Sequence, residues 1–353
     1  MSDLKINNIT DRTGGSGPVI AGVSTVSSTG AFVVPVGATE FRGGRGRAVF
    51  AGGYEAPSHD YSKTIEMVEI ATFGNAVDFG DLRRIVSPGS GAASAIRILF
   101  AGGHTPSSYV GIDYITISSG GGASDFGNIS VTRRDGTNGL ADSTRGVFGG
   151  GADYSPGTGT NFIEYVTIAS TGDASDFGDL FHKTRGSQGC SSPVRGVWAG
   201  TYNKPITYTN IVQYVTIQTL GDALDFGDLT TAQGYYNMGG ATSSTRAVYC
   251  GGTYYQPSPG IYASINTMQY LTFATTGNMT DFGDLVEPSG FNGAASNQTR
   301  GIITGGRKDP SYVSSNNIQY ITVATLGNAA DFGDMTVAAY TRHGSSDSHG
   351  GLG

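Results

Sequence analysis

The sequence predicts an all-β fold: a six-bladed β-propeller with four-stranded blades. Three observations carry this. The tetrad Asp-Phe-Gly-Asp/Asn occurs six times, with its phenylalanines at 79, 126, 177, 226, 282 and 332 and spacings of 47, 51, 49, 56 and 50. An arginine opening a short apolar run occurs six times in step with it, at Arg47, Arg97, Arg145, Arg195, Arg246 and Arg300. Composition agrees: 57 glycines, 19 tyrosines and 16 phenylalanines combine turn formers with β-favouring aromatics. A fixed period of this length is the mark of a repeat architecture.

Within each unit the first strand is small and polar, as in Gly91-Ala92-Ala93-Ser94 and Gly189-Cys190-Ser191-Ser192. The second is the Arg run, for example Arg195-Gly196-Val197-Trp198. The third is of the type Ile163-Glu164-Tyr165-Val166-Thr167-Ile168. A Gly-Asp or Gly-Asn turn leads to the fourth, which ends at the tetrad. The stretch His343 to Gly350 reads as a first strand with no second strand after it, while Arg47 opens a second strand with a poor first strand before it. The C-terminal residues are therefore expected to supply the first strand of the first blade, closing the ring and removing an open edge. Residues 1–40 fall outside the repeat and read as an N-terminal arm with short strands near Val19–Val23 and Ala31–Val36, ahead of a propeller at 41–353.

A net charge of −7 argues against nucleic acid as a partner. No apolar run approaches the roughly eighteen residues of a membrane helix. The start Met-Ser-Asp-Leu-Lys carries no secretory pattern, so a protein made in the cytoplasm and not inserted in membranes is expected. Cys190 and Cys250 fall in strand positions and are expected to be buried free thiols.

Asp-Phe-Gly invites comparison with the kinase metal-binding triplet, but no lysine strand or catalytic loop accompanies it. Recurring once per unit, it reads as scaffold: the phenylalanine packs between blades, the glycine permits a bend, and the carboxylates cap nearby N–H groups. Calcium held by some of these carboxylates is the alternative. The six arginines are expected to pair with carboxylates or carbonyls at a blade edge, a basic ring around the channel being the alternative. Trp198, aligned with Phe50 and Phe148, reads as core. No metal-ligand spacing and no cofactor motif is found, so no catalytic residue, metal or cofactor is expected.

The first-to-second and third-to-fourth turns are short and uniform; the fourth-to-first loops are long and varied, as are the loops between second and third strands. The second-to-third loops carry Tyr54, Tyr61, Tyr109, Tyr154, Tyr202, Tyr208, Tyr254, Tyr255, Tyr262 and Tyr312, and His104 opens the second of them. Tyrosine among small polar residues makes a good contact surface. These residues are the candidate binding set, the alternative being that the tyrosines pack their own loops. An enzyme reading, a sugar oxidase or glycan-degrading propeller, would have to use loop acids such as Glu55, Asp60 and Asp309.

The unit resembles the kelch repeat, in which a double glycine ends one strand and a Tyr-containing strand follows, with phenylalanine standing where kelch repeats place a tryptophan. This resemblance implies kelch-like folding and transfers no function. The chain as a whole resembles repeat proteins of marine tailed bacteriophages, especially those of cyanobacteria. Three stretches carry it: the leader Gly-Pro-Val-Ile-Ala-Gly-Val-Ser-Thr-Val (17–26, continuing to Pro35), the blade phrase Tyr-Val-Thr-Ile-Ala…Asp-Phe-Gly-Asp-Leu, and the ending Gly-Ser-Ser-Asp-Ser-His-Gly-Gly-Leu. It implies a non-enzymatic virion protein, a tail or fibre appendage docked on other virion proteins through residues 1–40. The Tyr-rich face would meet a host-surface glycan or a neighbouring virion protein, and self-association would occur in the particle. A capsid-surface decoration is the second structural version.

Overall fold

The protein is described by a computed structural model covering residues 46–58, 60–87, 89–105, 107–133, 138–152, 158–203, 207–231, 237–256 and 260–353, with three short strands before them. Those strands, Val19–Ile20, Ser24–Val26 and Phe32–Val33, form an antiparallel sheet in a unit spanning residues 1–42. The expected attachment role of residues 1–40 otherwise lies outside the described residues.

Residues 43–353 form the second unit, and its strands are antiparallel throughout. Six four-stranded sheets follow the predicted repeat. Sheet 1 joins His343–Ser346, Arg47–Ala51, Thr64–Glu69 and Val77–Asp81; sheet 2 joins Ser90–Ala93, Arg97–Ala101, Gly111–Thr116 and Ser124–Asn128. Sheet 3 joins Asn138–Ala141, Arg145–Gly149, Thr160–Thr167 and Ser175–Thr184; sheet 4 joins Gln188–Ser191, Arg195–Asn203, Thr207–Thr216 and Leu224–Asp228. Sheet 5 joins Gly239–Thr242, Arg246–Cys250, Thr267–Thr272 and Thr280–Asp284; sheet 6 joins Gly293–Ser296, Arg300–Thr304, Asn317–Thr322 and Ala330–Asp334. The C-terminal strand pairs with Arg47–Ala51 in the register His343↔Ala51 to Ser346↔Ala48, as the sequence predicts.

Hydrophobic clusters lie between sheets rather than inside one. Val197 and Phe226 of sheet 4 pack with Tyr249 and Leu271 of sheet 5, and equivalent clusters join sheets 1 and 2, 2 and 3, 3 and 4, 5 and 6, and 6 and 1. A single four-stranded sheet cannot bury both of its faces alone, so each needs its neighbours. Trp198 is core, at 1 % exposure.

The two anchors stitch neighbouring sheets together. Each arginine reaches a backbone carbonyl of the next sheet: Arg47 to Ile117, Arg97 to Ile168, Arg145 to Ile217, Arg195 to Phe273, Arg246 to Val323 and Arg300 to Ile70. In sheets 2 to 6 the guanidinium also lies over the third-strand tyrosine, for example Arg145 at 4.4 Å from the Tyr165 ring. Sheet 1 has Met67 at that place, and Arg47 pairs with Glu69 instead. The carbonyl reading of the arginines holds at all six places.

The tetrad is likewise a joint. Its phenylalanine carbonyl accepts the amide of the next sheet's turn glycine, as from Gly221 to Phe177 at 2.9 Å, and all six junctions repeat this. One expectation is corrected here. The tetrad's own carboxylates are not the caps; the turn Asp or Asn of the following sheet accepts the amide of the tetrad's last residue. Asp173, Asp222, Asn278, Asn328 and Asn75 do so at 2.9–3.1 Å. Gly122 occupies that place in sheet 2.

A third joint was not read from the sequence. One buried residue of each third strand, just before its Tyr or Met position, accepts the amide of the segment leaving the previous sheet. Its occupants are Glu66, Asp113 and Glu164 in sheets 1 to 3, and Gln213, Gln269 and Gln319 in sheets 4 to 6. Each of the three acids also meets an arginine from a fourth-to-first segment: Arg342, Arg83 and Arg133, respectively.

Candidate binding face

The second-to-third-strand loops fold as small hairpins rather than open loops. Tyr54–Glu55 pairs with Asp60–Tyr61, Thr253–Gln256 with Ile261–Ser264, and Arg307–Lys308 with Val313–Ser314. Ala339–Tyr340, from the segment leaving sheet 6, adds to the first hairpin with Tyr340 opposite Tyr54. The fifth and sixth hairpins are tied together: the Asp309 amide donates to Ser264 Oγ at 2.9 Å, and Ser264 Oγ donates to the Arg307 carbonyl at 3.0 Å.

These ties align aromatic rings across three sheets. Tyr61 meets His104 edge-on at 5.3 Å and Tyr54 at 4.6 Å; Tyr54 stacks on Tyr340 at 5.0 Å with an interplanar angle of 9°. Tyr340 meets Phe291 at 5.9 Å. The Arg307 guanidinium sits 4.4 Å from the Phe291 ring, 5.2 Å from Tyr340 and 4.8 Å from Tyr312. Tyr54 Oη lies 2.9 Å from His104 Nε2 and donates to Tyr61 Oη at 3.1 Å. Arg307 is paired with Asp309 at 2.9 Å, so its charge is neutralised while its plane supports the rings. Burial raises the Tyr340 phenol above its usual value, with Arg307 opposing, so the hydroxyl stays protonated at neutral pH.

The backbone under this stripe is unusual. Phe291, Thr341 and Asn237 hold φ of 60°, 55° and 54°, the left-handed region that bulky side chains rarely enter. They occupy equivalent places, two residues before a first strand, and Gly186 is their counterpart in sheet 4. A chain of amide-to-carbonyl bonds runs through them, from Thr341 to Phe291, Phe291 to Asn237, and Asn237 to Gly186. Three non-glycine residues are thus kept in a costly conformation by pairing across sheets, and Phe291 is aimed at Arg307 as a result.

Of the predicted residues, Tyr54, Tyr61, His104 and Tyr312 join the stripe. Tyr255 and Tyr262 meet each other at 5.4 Å, and Tyr254 packs on the core between sheets 4 and 5. Tyr109 lies under Arg84 at 4.8 Å, its phenol raised by burial. Tyr202 and Tyr208 face each other in register where the second and third strands of sheet 4 extend. Tyr154 lies outside the described residues. Tyr312 is the exposed ring of the stripe, at 54 %. The sequence reading missed Tyr340, Phe291 and Arg307. Two of these lie in fourth-to-first segments, where aromatic content was the available signal.

The loop acids Glu55 and Asp309 are engaged by neighbours. Glu55 accepts from Ser62 Oγ at 2.5 Å and pairs with Arg342; Asp309 is held by Arg307. Among the described residues no three His, Cys, Asp or Glu side chains gather as a metal-binding group. Cys190 and Cys250 are free and buried, and burial pushes the Cys190 thiol up to about 12. Neither forms a thiolate at neutral pH, so native protein is expected to resist a thiol reagent such as DTNB, with both groups reacting after denaturation. Rapid labelling of native protein would contradict this.

A cavity of about 60 Å³ runs among the first strands, lined by Gly91, Gly139, Gly189, Gly240, His343 and His349 among others. That is room for roughly two waters, well below the ~300 Å³ of a ligand pocket. Glycine keeps it narrow: a Cβ on Gly189 would sit 2.7 Å from the Gly139 carbonyl of the adjacent first strand. In comparisons with known proteins, no family model matches the chain and no curated protein matches it. Among the described residues no helix is long and apolar enough to cross a membrane.

Proposed function

We propose that this chain is a non-enzymatic binding protein built on a closed, six-bladed, kelch-like β-propeller. In this reading it is a virion component of a tailed bacteriophage that docks through residues 1–40 and presents its loop face to a host-surface glycan or a neighbouring virion protein. Support for ring closure comes from the first strands. Those of sheets 1 and 2, 2 and 3, 3 and 4, 4 and 5, 5 and 6, and 6 and 1 lie against one another. The virion assignment rests on the leader, blade and ending phrases of the sequence. The observation that carries the binding reading is the stripe from Tyr61 to Tyr312, rigid aromatic surface backed by the buried His104 and pre-ordered by pairing between sheets.

Two experiments test it. Labelling the protein in purified virions and locating it by electron microscopy should place it on the tail; a capsid position favours the decoration version, and absence from the particle refutes both. A glycan array and a virion-protein pull-down should then find a ligand. Tyr312→Ala is expected to weaken its binding by about 30-fold, as loss of a ~2 kcal/mol anchor would. Its exposed ring makes the change in stability small, within about 0.5 kcal/mol. Unchanged binding by Tyr312→Ala would remove the stripe from the proposal.

A further inference from the structure

Residues Ser346–Leu352 touch all six sheets. Ser346 Oγ donates to the Ser296 carbonyl of sheet 6 at 2.5 Å, and Asp347 Oδ1 accepts the Gly46 and Arg47 amides at the edge of sheet 1 at 3.0 and 2.9 Å. His349 Nε2 lies 2.9 Å from the Ala93 carbonyl of sheet 2, and the Gly350 amide donates to Thr242 Oγ1 of sheet 5 at 2.9 Å. Gly351 packs against the Ala141 carbonyl of sheet 3 and Ser191 of sheet 4, where a Cβ would strike both. The segment is almost wholly enclosed, with Ser346, Asp347, Ser348, His349 and Leu352 between 0 % and 9 % exposed.

His349 sits at the centre of this hub with its protonation state set by its partners. The Gly351 amide donates to Nδ1 at 3.1 Å, so Nδ1 must carry a lone pair. Nε2 then carries the proton and donates to Ala93. A second proton has no place at Nδ1 unless Gly351 moves from its close approach to the Ala141 carbonyl and Ser191.

We propose that residues 347–352 form an acid-released hub: a proton on His349 Nδ1 displaces the Gly351 amide, and the segment disengages while the sheets stay folded. Burial lowers the affinity of His349 for that proton, with the Ala93 bond and Asp142 opposing. The groups around it do not offset burial. Asp142 is occupied by the Thr144 and Arg145 amides, and Asp347 by those of Gly46 and Arg47. The Arg47 guanidinium is turned to Glu69 and Ile117, and Cys190 is a neutral thiol. Sheets 2, 5 and 6 present Ala93, Thr242, Ser296 and Gln298, none of which titrates. A histidine kept neutral in the bound state favours release as pH falls below its ordinary value of about 6.5.

Hydrogen exchange at about pH 7 and about pH 5, corrected for intrinsic rates, tests this. Amides of Gly350, Gly351 and Leu352 are expected to exchange at least about tenfold faster at the lower pH, while those of Arg145–Gly149 keep their protection. His349→Asn, which retains an acceptor but no basic nitrogen, should abolish the response, and His343→Gln should retain it. Tail protection that does not change with pH, an unaltered response in His349→Asn, or loosening of tail and sheet 3 together would overturn the proposal. Should the Asn variant not fold, the His349 titration followed by NMR in the native chain must share its midpoint with tail exchange; separate midpoints would equally refute it.

Discussion

Replacing Glu164 by alanine is expected to cost about 3–5 kcal/mol of unfolding free energy, measured by denaturant titration. Arg133 is 0 % exposed, and its guanidinium pairs with Glu164 Oε2 while touching the carbonyls of Phe148, Gly150 and Phe162 at 3.3–3.4 Å. Removing the carboxylate takes its ion pair from a buried guanidinium and also takes away the acceptor of the Ser130 amide, now bonded at 2.8 Å. The molecule supplies its own control. Sheets 4 to 6 make the same joint with Gln213, Gln269 and Gln319 and no buried arginine. Glu164→Gln combined with Arg133→Met copies that arrangement and is expected to fall within about 1.5 kcal/mol of the native protein. A double variant as damaged as Glu164→Ala would show that the ion pair, rather than the amide clasp, holds sheets 2 and 3 together.

Gly178→Ala is expected to destabilise by about 3 kcal/mol, more than an ordinary surface glycine replacement. Gly178 has φ of 143°, and a Cβ there would lie 2.5 Å from the Gly221 carbonyl of the neighbouring sheet. The obstacle is backbone in a turn already fixed by the Gly221 amide on Phe177, so it cannot rotate away. Gly172→Ala is the comparison: its φ of 158° is also positive, but nothing stands within 4 Å of the added carbon. The difference between the two variants, read from thermal and denaturant unfolding, isolates the close approach of sheets from local conformational cost. Equal losses would mean that the tetrad glycine is needed only for its bend.

Acid adds a further expectation. Burial lowers His343 to about 4 from its ordinary value of 6.5. A histidine with a depressed folded value contributes nothing above about pH 6.5, where it is neutral folded or unfolded. Below that the unfolded chain takes up the proton first, so stability falls as pH drops from about 6.5 to about 4 and levels off beneath. The single group supplies of order 3 kcal/mol across this window. His343→Gln should flatten the stability–pH curve in this window, and a curve of unchanged slope would contradict the assignment.

Much of this could be read from the chain itself. Each unit repeats its strand pattern within about fifty residues, so the Arg run, the Ile-x-Tyr strand and the tetrad locate the second, third and fourth strands of every sheet. The small polar run His343–Ser346 likewise announces a first strand lacking a second, and its pairing with Arg47–Ala51 follows. These are local patterns of side-chain size and period. What the tertiary structure alone decided lies between repeats, where sequence spacing is silent. A tetrad glycine looks like a bend until Gly221 is seen behind Gly178. Glu164 is only a member of the third-strand pattern until Arg133 and the Ser130 amide meet it. Tyr54 looks like a loop contact residue until Tyr340, 286 positions later, stacks on it. The physical reason is the same in each case. A sheet of this kind buries its faces only against its neighbours, so the contacts that fix individual side chains join residues far apart in the chain. The six tetrads announced the units; the packing of one sheet on the next assigned their residues to scaffold, stripe and hub.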